Sequence, residues 1–286
     1  GTVAAGKYGN VTLTAQWTAN TYTITYVYNN GSANTTATYN IEQAITLPSP
    51  TKTGYTFAGW KVTTAGGNWK TTDSVYKGTV AAGKYGNVTL TAQWVANTYT
   101  ITYKYNNGAA DTTAKYTIEQ SITLPSPTKT GYTFAGWKVT TAGGNWKTTD
   151  SVYKGTVAAG KYGNVTLTAQ WTANVYTITF LPNGGSVNPT SKTFTIESTI
   201  DLPTPTKDSY VFDGWLVTTA EGNWTNGTLY TDSSIPAGKY GNVTVTAQWH
   251  KTVTVHFYSG SKGAVHNQFQ ITFKNNETAG SVKSPT

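Results

Sequence analysis

Apolar and polar residues alternate one for one over much of the chain. In "TYTITYVY", Tyr22, Ile24, Tyr26 and Tyr28 fall on one face, and Thr21, Thr23, Thr25 and Val27 on the other. That is the period of a strand with one buried side. "VTLTAQW" repeats the pattern, with Val88, Leu90, Ala92 and Trp94 inward. "ATYNIEQAITLP" places Tyr39, Ile41, Ile45 and Leu47 inward before Pro48 and Pro50 remove the N–H groups a ladder needs. Turns are expected at Asn30-Gly31, Asn107-Gly108 and Asn183-Gly184, residue types that tolerate positive φ. Phe57 and Trp60 lie three apart, on opposite faces of a regular strand. If both are inward, the strand slips by one residue between them, and Gly59 is where a bulge fits. No ten-residue stretch has helical apolar spacing, so any helix is short.

The alternating phrases recur. "GKYGNVT(L/V)TAQW" ends at Trp17, Trp94, Trp171 and Trp249, a period of 77, 77 and 78 residues. On that frame the chain divides into complete repeats at 18–94, 95–171 and a diverged 172–249. Residues 1–17 read as the C-terminal part of a preceding repeat, and 250–286 as the N-terminal part of a further, diverged one. The first two complete repeats differ at seven of 77 positions, among them Asn34/Asp111 and Thr38/Lys115. Val27/Lys104 and Thr38/Lys115 fall on the face that alternation makes outward. The third repeat changes much of its surface but keeps the aromatic framework, as expected of a core. The predicted core is Tyr22, Ile24, Tyr26, Phe57, Trp60, Leu90 and Trp94, with Tyr99, Ile101, Phe134, Trp137 and Trp171 in the second repeat and Phe212, Trp215 and Trp249 in the third.

The third repeat carries an "NGG" turn at 183–185, a Pro-Thr-Pro-Thr step at 203–206, Phe-x-Gly-Trp at 212–215 and a closing "AQW" at 247–249. These motifs resemble the Listeria–Bacteroides repeat, the internalin-type B-repeat of bacterial surface proteins. The resemblance implies small β-grasp-like modules, mainly β (α+β) with at most one short helix each, set in tandem on exported proteins in a spacer or adhesive role. The first two repeats depart from the pattern, with "YNNGS" or "YNNGA" at the turn. About four residues join one closing Trp to the next inward Tyr, which predicts a stiff, elongated rod. Each unit should add on the order of 30 Å, from the size scaling of compact domains.

Composition narrows the chemistry. Cysteine is absent, which excludes disulfides and thiolate metal sites. No apolar run approaches the roughly 20 residues a membrane helix needs, and no signal peptide is read. The charge of +8 is spread thinly, and no Lys/Arg cluster interleaves with rings, so nucleic acid is not an expected partner. Catalytic, cofactor and metal residues are all expected to be none. The three histidines, His250, His256 and His266, lack metal-ligand spacing. One acid recurs in every complete repeat, as Glu42, Glu119 and Glu197, and a lone carboxylate makes no acid/base pair. Lys84 or Lys129 with Asn87 or Asn145 and Glu119 are the ingredients of an isopeptide bond, whose absence is expected. Asn-x-Thr sequons at Asn10, Asn87, Asn164 and Asn242 fit turns equally well.

Trp69, Trp146 and Trp224 stand outside the alternating strands, in glycine-rich "AGGNW" or "AEGNW" loops. They are lids over a small core or, as the alternative, exposed platforms for a sugar. The sequence therefore predicts a non-catalytic stalk, fibre or adhesin shaft at the bacterial surface, with neighbouring repeats as partners and lateral self-association a further option. The rival is a multivalent module that binds glycan or another surface ligand through those loop tryptophans and the nearby tyrosines, Tyr76, Tyr85 and their copies.

Overall fold

The computed structural model describes residues 1–258 and 265–274, with side chains described as far as residue 252. Among them there are strands and turns and no helix. The first repeat runs β1 (Thr21–Val27), β2 (Thr35–Asn40), β3 (Ile45–Thr46), β4 (Tyr55–Thr64), β5 (Thr79–Val80) and β6 (Val88–Ala96). The second repeats this as β7 (Thr98–Lys104), β8 (Thr112–Thr117), β9 (Ile122–Thr123), β10 (Tyr132–Thr141), β11 (Thr156–Val157) and β12 (Val165–Ala173). The third has β13 (Tyr176–Leu181), β14 (Ser191–Phe194), β15 (Ile200–Asp201), β16 (Val211–Ala220), β17 (Leu229–Tyr230) and β18 (Ser234–Ile235). Its closing strand, β19 (Val243–Tyr258), continues past the repeat to pair with β20 (Val265–Lys274).

Each repeat builds one mixed sheet. In the first the order is β2-β1-β6-β4. Its opening strand β1 lies parallel to its closing strand β6, with Ile24 against Val88, and the outer pairs are antiparallel. A two-stranded sheet, β3 with β5, packs on the buried side. A β-grasp fold would lay a helix over that side; short strands and the tryptophan loop cover it here. The hydrophobic cores are three separate clusters, one per repeat. Trp60, Trp137 and Trp215 centre them, at 1% exposure or less. At roughly 150–250 Å² apiece, burying one such ring contributes about 4–6 kcal/mol before entropy is charged against it.

Of the predicted core, Ile24, Tyr26, Trp60, Leu90, Ile101, Trp137, Trp215 and Trp249 are buried. Tyr22, Phe57, Trp94, Tyr99, Phe134, Trp171 and Phe212 are half-buried and pack against the clusters. Phe57 faces Trp94 across the sheet and Gly59 faces Gln93, so the ladder slips between them, with Gly59 at φ 125°. That bulge puts Phe57 against Trp60, ring centroids 5.5 Å apart. A second slip falls between Val62 and Thr64.

Two assignments change. Ile41 is 42% exposed and not inward, lying in the turn just after β2. At the first turn, positive φ belongs to Asn29 and Gly31, while Asn30 uses its side chain to hold Ser32 N–H and to reach Thr51 C=O. Residues 1–17 match 78–94 letter for letter, yet form no strand, with Trp17 91% exposed.

Candidate functional site

The recurring loop tryptophans do not form platforms. Trp69 and Trp146 are 2% exposed and Trp224 6%, each part of its repeat's core cluster. The two glycines of "AGGNW" let the loop backbone lie directly on that of the "GKYGN" loop, and Asn68 fastens them together. Its side chain accepts from Tyr85 N–H and donates to Gly83 C=O. Trp69 then donates its indole N–H to the Tyr39 hydroxyl at 2.7 Å, which donates to Gly86 C=O at 2.6 Å. Trp146, Tyr116 and Gly163 repeat the relay. In the third repeat Phe194 replaces the tyrosine, and Trp224 donates to Gly241 C=O at 3.0 Å without an intermediary. A buried N–H keeps an acceptor in all three.

Lys84 lies over this ring, 4.8 Å from its centroid, and 3.6 Å from the Asp73 carboxylate. The Tyr76 hydroxyl donating to Asp73, then Lys70 N–H and the Lys84 ammonium, hold that carboxyl below its usual range. Burial, and then Asp73 itself, push the Tyr76 phenol up. Asp150, Tyr153 and Lys161 reproduce the arrangement. It is a half-buried clamp on a lid. Among the described residues no group of three or more His, Asp or Glu has a geometry that could hold a metal ion.

The recurring glutamate occupies a different site, the joint between repeats. Tyr55 of the first repeat donates to Glu119 of the second at 3.1 Å, and Tyr132 of the second to Glu197 of the third at 2.8 Å. Beside it, a Cβ on Gly54 would sit 2.6 Å from Ile118 Cδ1, and one on Gly131 2.7 Å from Ile196 Cδ1. Both glycines also hold φ near +80°. Lys52 covers the Tyr55 ring, 4.3 Å from its centroid. One residue separates β6 from β7, Asn97, whose N–H bonds to Gly54 C=O and whose side-chain oxygen accepts from Thr56. Asn174 does the same with Gly131 and Thr133. Ile118 and Ile196 are half-buried here, whereas Ile41 has no such neighbour and is exposed.

After the third repeat the joint differs. Ser209 stands where Gly54 and Gly131 stand, at φ 61°, and the closing strand runs on unbroken. His250 there meets Asp213 at 2.5 Å on the strand face. The side chains of His256 and His266 lie outside the described residues. The isopeptide ingredients each have other partners. Lys84 is engaged by Asp73, Asn87 accepts from Thr23 N–H, and Glu119 is held by Tyr55. Lys129 sits over the Tyr132 ring, and Asn145 is bonded within its loop. Asn164 and Asn242 also start the parallel pairing, accepting from Thr100 and Thr177 N–H. What sequence reasoning missed was the joint itself; its signal was the glutamate recurring beside an isoleucine, one unit after a Gly-Tyr pair.

Comparison with known proteins agrees with the period. A profile of the Listeria-Bacteroides repeat domain matches residues 22–93, 99–170 and 176–248. A putative Gly-rich membrane protein of Evansella cellulosilytica is 33% identical over 88% of this chain and 27% of its own length. A putative membrane protein of the same organism is 30% identical over 72% of the chain and 29% of its own length. Internalin H of Listeria monocytogenes is 36% identical over 52% of the chain and 25% of its own length. The chain thus spans between a quarter and a third of each of these relatives.

Proposed function

We propose that this chain, which belongs to the Listeria-Bacteroides repeat family, is the stalk segment of a bacterial cell-envelope protein, holding other parts of that protein away from the surface without catalysis. The observation that carries the reading is the joint. A linker of one residue at the first junction and two at the second, a Tyr–Glu hydrogen bond and a glycine packed on isoleucine recur at two successive junctions. Fixed joints give tandem modules a fixed direction, which a spacer requires and a set of independent binding modules does not. The relatives named as membrane proteins and an internalin support an envelope location.

Burial of Trp69, Trp146 and Trp224 takes the tryptophans away from the glycan-binding alternative and leaves it loop tyrosines such as Tyr85, 41% exposed. Small-angle scattering of the whole chain tests the stalk. The expected profile is that of a single extended shape, and a Gly54→Ala, Gly131→Ala variant should scatter as a mixture of bent forms. A wild-type profile that already requires freely jointed repeats would sink the reading. So would salt-resistant, saturable binding of the chain to a neutral cell-wall glycan.

A further inference from the structure

The geometry points to a self-recognition edge on the middle repeat, through which β8 pairs antiparallel with β8 of a second copy of this chain. The strand is the outer member of its sheet, whose order is β10-β12-β7-β8. Asp111, Thr112, Thr113 and Lys115 are all exposed. The main-chain groups that face outward can be identified. Thr117 N–H bonds to the Gln120 side chain and Thr100 N–H to Asn164, so neither takes part in the Thr98–Thr117 or Thr100–Lys115 pairings of the ladder. By the alternation of antiparallel ladders, Thr113 and Lys115 turn their N–H and C=O groups to the open side.

Charge then selects register and partner. Relative to the first repeat, two of the seven differences are Asn34→Asp111 and Thr38→Lys115, placed symmetrically about Thr113. If two β8 strands pair antiparallel about Thr113, Asp111 of each copy lies directly opposite Lys115 of the other. Asp111 directly precedes β8, so this pairing extends the strand by one residue and releases the Lys115 ammonium from the Thr100 hydroxyl it contacts at 2.8 Å; both pairs then fall on the solvent face, where opposite charges attract across a ladder. Parallel pairing or a slipped register loses both. The first repeat has the same edge without the charges, and the third has Pro189, which lacks an N–H, in place of Asp111. A lone edge lysine discourages pairing, but one matched by an acid two residues beyond the centre becomes a recognition element.

The buried side agrees. A concavity of about 490 Å³ opens beneath this edge, floored by Ile101, Tyr116 and Ile122 and bordered by Ala114. In the same register Thr112 of the second copy comes opposite Ala114, with its methyl at the mouth of that hollow. The occupant is therefore this chain, and neither an acidic nor a basic partner alone suits an edge carrying one charge of each sign.

Sedimentation equilibrium of the whole chain over a concentration series decides the matter, with circular dichroism confirming that each surface variant folds. Wild type should self-associate. Asp111→Lys and Lys115→Asp, each alone, set like charges opposite and should weaken association about five- to tenfold. Mixing these two variants sets a strand with two lysines against a strand with two aspartates, and should restore association as a heterodimer. A wild-type chain that stays monomeric, single variants that associate like wild type, or a mixture no tighter than its components would each overturn the proposal.

Discussion

Trp146 shows what one side chain can mean twice. As a ring in a glycine-rich loop it has the composition of a sugar platform. In the structure its face is closed by its own repeat and its N–H is used by Tyr116. Trp146→Phe keeps most of the apolar contact but leaves the Tyr116 hydroxyl without its donor, and should destabilise that repeat by about 1–3 kcal/mol in urea unfolding. Acid should loosen the same lids. The carboxyls of Asp73 and Asp150 titrate lower in the fold than in the unfolded chain, so they contribute stability above the ordinary aspartate value, about pH 4. That contribution is lost as pH falls through the depressed folded-state value. Melting temperature should therefore drop on acidification below about pH 4, and drop less in an Asp73→Asn, Asp150→Asn variant. The third repeat has no carboxylate ion-paired to Lys239, its counterpart of Lys84, among the described residues, and its lid should be less acid-sensitive.

Elements were legible where one residue's neighbours are local. Alternation gives β1, β4 and β6, and the three-residue offset of Phe57 and Trp60 gives the bulge at Gly59. It fails where pairing is decided from a distance. Residues 1–17 and 78–94 are the same sequence, yet only the latter holds a strand, because β1 and β4 flank it. Period two also carried Ile41 inward, although its counterpart Ile118 is covered across a joint by Gly54 and not by the core of its own sheet. A joint between modules leaves no trace in the period-two pattern, since its two halves lie 64 residues apart, as Tyr55 and Glu119 do. At that joint Gly54→Ala introduces both a left-handed backbone strain of about 1 kcal/mol and a contact with Ile118. The scattering experiment above should register the second, and thermal unfolding the first.

At the scale of the whole molecule, the parallel contact of each repeat's opening and closing strands has a mechanical meaning. A pull on the two ends of the array enters the first repeat through β1 and leaves it through β6. These strands are neighbours, with Ile24, Thr25, Tyr26 and Val27 set against Val88, Thr89, Leu90 and Thr91. Because they run the same way, tension slides one along the other and loads all their hydrogen bonds together. An antiparallel pair would be peeled apart one bond at a time. Single-molecule stretching should therefore show a sawtooth of abrupt, high-force ruptures, one per complete repeat. Pulling instead through cysteines placed at Thr36 and Thr63, on the two outer strands, should open the same module at distinctly lower force. A protein tethered to a cell wall at one end and gripped at the other would meet flow or traction along the direction in which its modules resist most.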